Sequence, residues 1–261
     1  MAKGVQGGSA RRRTAARPRT VVRRRDARGP RELVLLGALF VAYSFTRLAA
    51  ADDVGSAVHV ASRVVGIEGF FGLDVERAVA TWTSAHLAVA VVCSGFYAIA
   101  HYVVTATVLL HVWVRHPEHY RHVRDVLVVA TLAALVVYLV LPTAPPRLLP
   151  GYPDILGQTA GWGWWGDAAP PGGGGITNQL AAMPSMHVGW AIWVALALRT
   201  CWQGVAARRL VWLYPVVTSL VVVATANHWV LDAVMGVVFV GLASAVVRQR
   251  SAPTSWAASS P

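Results

Sequence analysis

Two histidines, a carboxylate, a hydroxyl and a guanidinium stand out in an apolar chain. His228 and Asp232 are four residues apart in "TANHWVLDAVMG", residues 225–236, where a long apolar run begins. On a helix starting near His228 they share a face. Ionisable groups beside hydrocarbon are costly, which makes them candidates for function. The pair has two readings. It can close a helix-packing hydrogen bond. Alternatively, the carboxylate accepts from one imidazole nitrogen and leaves the other unprotonated, as a nucleophile or base.

His187 lies 41 residues earlier, in "NQLAAMPSMHVGW". Pro184 suits the first position of a helix, where its missing N–H costs nothing. The free N–H groups and positive dipole end of such a terminus favour phosphate. Ser185 adds a hydroxyl donor, and His187, one turn in, can protonate a leaving oxygen. Arg147, in "LPTAPPRLLP", offers a planar charged fork for phosphate oxygens, on a loop stiffened by Pro142, Pro145 and Pro146. Taken singly, these are an ordinary helix start and a solvated loop charge. Taken together, they form an anion site suited to phosphoryl transfer through a phosphohistidine. His228 attacks phosphorus and Asp232 orients it. His187 protonates the departing alcohol and then deprotonates the incoming water or hydroxyl. Arg147, Ser185 and the helix terminus stabilise the equatorial oxygens.

The elements that must position these groups are membrane helices. The 261 residues are 56% hydrophobic and 13% charged, against about 25% charged in soluble domains, and the mean hydropathy is +0.51. At about 20 apolar residues per crossing, six spans are expected: 33–50, 85–114, 125–141, 186–201, 210–226 and 229–247. The second is overlong, the fourth is short, and Pro215 is expected to kink the fifth. With the N-terminus inside, 19 of the 23 Lys and Arg fall on the inner side. The positive-inside rule therefore places both termini in the cytoplasm. His187, His228 and Arg147 then come from separate segments to one outer face of the cell membrane.

Eleven of the 23 basic residues precede residue 32. Residues 1–31 are read as a disordered basic tail against anionic lipid. Nucleic acid is not the expected partner, since the tail lacks interleaved aromatics. Residues 32–248 form the membrane domain, and 249–261 a second disordered tail. The two cysteines, Cys93 and Cys201, are read as packing residues with no disulfide framework. Residues 69–82 are expected to form an amphipathic helix on the outer interface, with Phe70, Phe71, Val75, Val79 and Trp82 on its apolar face. His101, mid-helix in "FYAIAHYVVT", has two readings, an approach to the site from below or, the preferred one, an interhelical hydrogen bond. His116, His119 and His122 belong to a solvated inner loop. The Gly- and Trp-rich stretch 161–175 lies in the long outer loop.

"PSMH" (Pro184 to His187) and "HWVLD" (His228 to Asp232) resemble the P-S-G-H and H-x-x-x-D motifs of the phosphatidic acid phosphatase type 2 superfamily, with Met186 in place of glycine. The resemblance covers about residues 85–245. It implies an all-α fold of six membrane helices, a phosphohistidine intermediate and no metal or other cofactor. It also implies that His187 is the general acid/base, His228 the nucleophile and Asp232 its orienting partner. The Ser-Arg that precedes the histidine in the family's third motif is Val221 and Val222 here, and the family's Lys-containing first motif is absent. "PTAPPR", with Arg147, stands in its place. In these departures the chain resembles the branch containing inositol phosphorylceramide synthase and sphingomyelin synthase.

The expected function is a lipid phosphatase or phosphotransferase. It would carry a phosphoryl or phospho-headgroup from a lipid phosphate to water, or to a polyol such as inositol. The alternative is a catalytically inactive membrane carrier or lipid-binding protein that retains an anion site. A zinc site built on the two histidines and Asp232 is disfavoured, since the sequence carries no HExxH.

Overall fold

The computed structural model describes residues 29–49, 54–163 and 180–251. The two terminal tails and the stretch 161–175 therefore lie outside the described residues, apart from 29–31, 249–251 and 161–163. The chain divides into two units, 1–37 and 38–261. Of the first, the described part opens helix α1 (Gly29–Ala49). The account below concerns the second.

The described residues are all-α. Their one β contact is an isolated parallel bridge between Thr143 and Ala181. Four helices are long and apolar enough to cross a membrane: α4 (Leu87–Arg115), α5 (Pro117–Val140), the α8–α9 pair (Val205–Leu210 and Leu213–Ala224) and α10 (Val230–Ser251). α7 (Met186–Cys201) is apolar but shorter. The chain is thus a polytopic membrane protein by the length and composition of its helices. α1 covers the first expected span but is not among these four.

Local chemistry explains the helix boundaries. Pro117 opens α5, with Glu118 in its first turn, where a missing N–H and a negative charge both suit the terminus. Pro215 does more than kink its helix. A proline ring clashes with the carbonyl four residues back, here that of Val211. The helix is broken at Val211–Trp212 and restarts as α9. Helices pack in a membrane through small residues. Ala130 and Ala134 of α5 and Ala191 and Ala195 of α7 are accordingly buried, and α10 packs against both α5 and α7.

The stretch 69–82 is not one helix. α2 (Val54–Phe71) ends where Gly72 takes φ +65°, and α3 (Glu76–Ala85) begins four residues later. Only glycine adopts that conformation at little cost, so the interruption is written in residue 72. The buried stripe of α2 is Ala57, Ala61, Val64 and Glu68, and that of α3 is Glu76, Ala80 and Thr83. Both follow helical spacing, and both carry a glutamate inward. The apolar residues expected to anchor this region, including Phe70, Phe71 and Trp82, are the exposed ones.

Candidate active site

The backbone positions His228 before any side chain does. α9 ends in a Schellman turn: Ala226 N–H donates to the Val223 carbonyl (2.9 Å) and Asn227 N–H to that of Val222 (3.1 Å). Ala226 takes the left-handed conformation, φ 52°, at a cost of about 1 kcal/mol for an L-residue. The turn delivers His228 directly in front of α10. There its Nδ1 lies 2.9 Å from the Ala182 carbonyl oxygen. A carbonyl only accepts, so Nδ1 carries the proton and the Nε2 lone pair is left for chemistry. Ala182 is itself fixed. Its N–H donates to the Thr143 carbonyl (3.1 Å), and Thr143 N–H donates to that of Leu180 (2.8 Å).

Asp232 is fully buried and lies in the first turn of α10, with Oδ2 3.5 Å from His228 Nδ1. The shorter bond of that oxygen is to Trp229 N–H, at 2.9 Å. A carboxylate reaching back to the N–H in front of its own helix is half of a capping box. Asp232 therefore caps α10 and also lies against the imidazole. Two more carboxylates join it. Glu76 Oε1 accepts from Val230 N–H (2.9 Å) and Glu68 Oε1 from Leu231 N–H (2.7 Å). Three successive N–H groups at the start of α10 thus meet three carboxyl groups, at a terminus whose dipole favours negative charge. Burial raises the Glu68 carboxyl to about 8, the neighbouring Glu76 charge adds to this, and the Leu231 N–H opposes it. Trp229, fully buried between these groups, donates from Nε1 to the Ala144 carbonyl (2.9 Å).

His187 arrives from the other side, on α7. The helix starts at Met186, with Ser185 as its cap: Val188 N–H lies 3.5 Å from Ser185 Oγ. Pro184 therefore precedes the cap instead of opening the helix, and His187 is the second helical residue, not one turn in. The Pro184 carbonyl accepts from the Tyr138 hydroxyl (2.7 Å), and Ser185 N–H donates to the Asp232 carbonyl (2.9 Å). The second bond joins the two arms of the site. It needs Gly236, because a Cβ there would stand 2.3 Å from the Ser185 carbonyl oxygen. His187 Nδ1 comes to 3.4 Å from His228 Nε2, with the ring centroids 5.5 Å apart. The Nε2 lone pair of His228 accepts, so His187 Nδ1–H is the donor of this long bond.

His187, His228, Asp232 and Ser185 are thus brought together. Arg147 is brought alongside. Its N–H donates to the Ala226 carbonyl (2.9 Å), its Nε donates to Asn227 Oδ1 (3.0 Å), and its Nη1 is 3.9 Å from Asp154. Among the described residues its contacts run to these three, not to His187, Ser185 or Asp232. It braces the turn before His228.

Several residues of this region carry no motif. Tyr97 stacks on His187, with centroids 4.1 Å apart, and His101 meets the same ring edge-on at 4.1 Å. The hydrogen bond of His101 stays within its own helix, Nδ1–H to the Tyr97 carbonyl at 3.0 Å, and among the described residues the interhelical bond is not made. The sequence signal for His101 is a histidine within an apolar run, four residues after Tyr97. Glu68, Glu76 and Asn227 gave none. No group of three or more His, Cys, Asp or Glu among the described residues is arranged to hold a metal ion.

No curated protein and no solved structure matches the chain significantly. A family model described as the PAP2 superfamily matches residues 62–246, a range that runs from within α2 to within α10 and includes both histidines and Asp232. The chain belongs to the PAP2 superfamily.

Proposed function

We propose that the protein is an integral membrane lipid phosphatase or phosphotransferase that works through a phosphohistidine on His228. Membership of the PAP2 superfamily suggests lipid-phosphatase-like activity in a membrane context. The observation that carries the finer reading is the facing pair: His228 Nε2 3.4 Å from His187 Nδ1, with His228 Nδ1 committed to the Ala182 carbonyl. An imidazole with one nitrogen tied and the other aimed at a second imidazole is arranged as a nucleophile beside an acid.

The steps balance. The Nε2 lone pair of His228 attacks phosphorus, and the bond to the lipid alcohol breaks. Its electron pair goes to oxygen, which takes the proton from His187. Water or a polyol hydroxyl then attacks phosphorus, His187 takes its proton, and the P–N bond breaks. Both histidines are restored. Asp232 stabilises the charge that gathers on His228 as it bonds to phosphorus. Ser185 contributes a hydroxyl, and Arg147 holds the turn and offers positive charge to phosphate oxygens.

In the membrane, α1 and α7 complete six crossings with the four long spans, over a domain of residues 32–248. Both termini lie in the cytoplasm and the site on the outer side of the cell membrane, as the distribution of Lys and Arg supports. Exposed Phe70, Phe71 and Trp82 support an interfacial position for the α2–α3 junction. The substrate is a lipid phosphate. A polyol acceptor, as in the inositol phosphorylceramide synthase-like branch, makes the same intermediate a transferase. A silent carrier with an anion site is the second reading, favoured by Val221 and Val222 standing where the family's third motif has Ser-Arg; both are buried.

The test is phosphate release from a short-chain phosphatidate by the purified protein, with and without polyol. His228→Ala is expected to lose about 10⁴-fold or more in turnover and to form no acid-labile phosphoprotein. Equal turnover by the two proteins would remove the assignment.

A further inference from the structure

We propose that His101 is a positioning residue for His187, a third imidazole belonging to the site. The inference rests on the phosphoryl-transfer reading above. His228 is held by a carbonyl bond, but among the described residues the ring of His187 has no such tether, and its hydrogen-bonding neighbour is the imidazole it must act beside. What orients its ring is contact with α4. Tyr97 lies nearly parallel to it, at 21°, and His101, one turn on, meets it at 62°, both with centroids 4.1 Å away. His101 is itself fixed, by Nδ1–H on the Tyr97 carbonyl and by the Tyr102 ring at 3.8 Å. Trp190 of α7 closes on it from 5.9 Å.

The placement is hard to explain as packing. A histidine kept in a membrane helix for structure normally bridges helices by a hydrogen bond, and this one bonds to its own helix. Leucine would fill the space at lower desolvation cost. What the imidazole adds is a rigid ring, locked in rotation, against the one histidine of the site that must pass a proton in both half-reactions. A general acid loses efficiency steeply when its donor atom is misplaced by about 1 Å.

That role predicts a dependence on the leaving group. An alkyl oxygen leaves only if His187 delivers a proton, whereas a nitrophenolate leaves without one. The experiment compares dioctanoyl phosphatidate with an alkyl-substituted nitrophenyl phosphate, for wild type and His101→Leu in detergent. The variant is expected to turn over phosphatidate about 10- to 100-fold more slowly. With the activated probe, its first burst of nitrophenol should stay within about twofold of wild type. The steady state that follows should fall about as far as phosphatidate turnover does, because water attack still needs His187 as a base. An intact burst also shows that the variant is folded. If it does not purify as a monodisperse protein, His101→Gln carries the same comparison. Equal slowing of burst and phosphatidate turnover, or no slowing of either, overturns the His101 assignment and leaves the phosphoryl-transfer reading standing. A wild type inert to both probes overturns that reading, and the His101 assignment with it.

Discussion

The two histidines of the site are held by different physics. His228 sits in a polar frame: a carbonyl on Nδ1, a Schellman turn behind it and three carboxyl groups at the start of the helix in front, of which Asp232 lies 3.5 Å from the ring. His187 sits in an aromatic frame, pressed by Tyr97 and His101, with a capped helix terminus beneath it. Hydrogen bonds specify a tautomer, and ring contacts specify only a plane. On the proposed reading that division suits the work. The attacking imidazole needs one nitrogen permanently protonated and the other bare. The acid must gain and lose a proton, so a fixed tautomer would hinder it.

Replacing Asp232 by asparagine tests the polar frame most severely. The amide oxygen can still accept from Trp229 N–H, so the capping bond survives while the charge is lost. In a triad where the carboxylate alone sets the tautomer, this exchange costs about 10⁴ in turnover. Here the Ala182 carbonyl already holds Nδ1–H, and the expected loss is smaller, about 100-fold, in phosphate release and phosphoprotein formation alike. A loss near 10⁴ would show that the carboxylate, not the carbonyl, sets the tautomer.

The same division explains what could be read from the chain. His187, Ser185, His228 and Asp232 belong to two short side-chain patterns, and patterns survive in a sequence. The Ala182 carbonyl and the left-handed Ala226 are backbone features that any small residue could supply, so no residue type announces them. Glu68 and Glu76 look like the wet face of an interfacial helix. Only the break at Gly72, which turns both stripes toward α10, makes them inward caps. The stretch 69–82 read as one helix because its apolar spacing runs on across a glycine whose φ is not visible in sequence. His101 needed the pairing of α4 with α7, which one sequence does not reveal.

Gly236 tests the joint between the frames. A methyl there would meet backbone on α7, the Ser185 carbonyl oxygen at 2.3 Å and Gly189 N at 3.1 Å. Backbone cannot step aside, so the helices must part, at about 2–3 kcal/mol for such overpacking. Gly236→Ala is expected to melt lower in detergent and to lose turnover on alkyl and aryl phosphates together. Gly189→Ala is the control across the same crossing. Its methyl would meet the flexible end of Met186 at 3.3 Å and the Gly236 carbonyl oxygen at 3.4 Å, so the cost should stay well under that of Gly236→Ala. Equal melting temperatures for the two variants would deny the close approach its role.

The smallest effect separates the frames by pH. Glu68 holds its proton up to about 8 in the folded protein, while an ordinary glutamate releases it near 4.5. Between those values the folded state binds a proton that the unfolded chain has let go. Stability must therefore fall as pH rises through the window, and level off below 4.5 and above 8. The slope is at most about 1.4 kcal/mol per pH unit. Glu68→Gln keeps an oxygen for Leu231 N–H and cannot ionise. Its melting temperature between pH 5 and 8 should accordingly fall less than that of wild type. The loss in wild type should begin at the start of α10, where Glu68, Glu76 and Asp232 meet, and should be read first as protease cleavage or amide exchange around residues 228–232. The α7 terminus has no carboxylate of its own to ionise, so exchange around 185–188 should follow later. Parallel melting curves for variant and wild type would mean that Glu68 is not the source of the slope. Simultaneous opening of both termini would mean that the Ser185–Asp232 bond makes the two frames one cooperative unit.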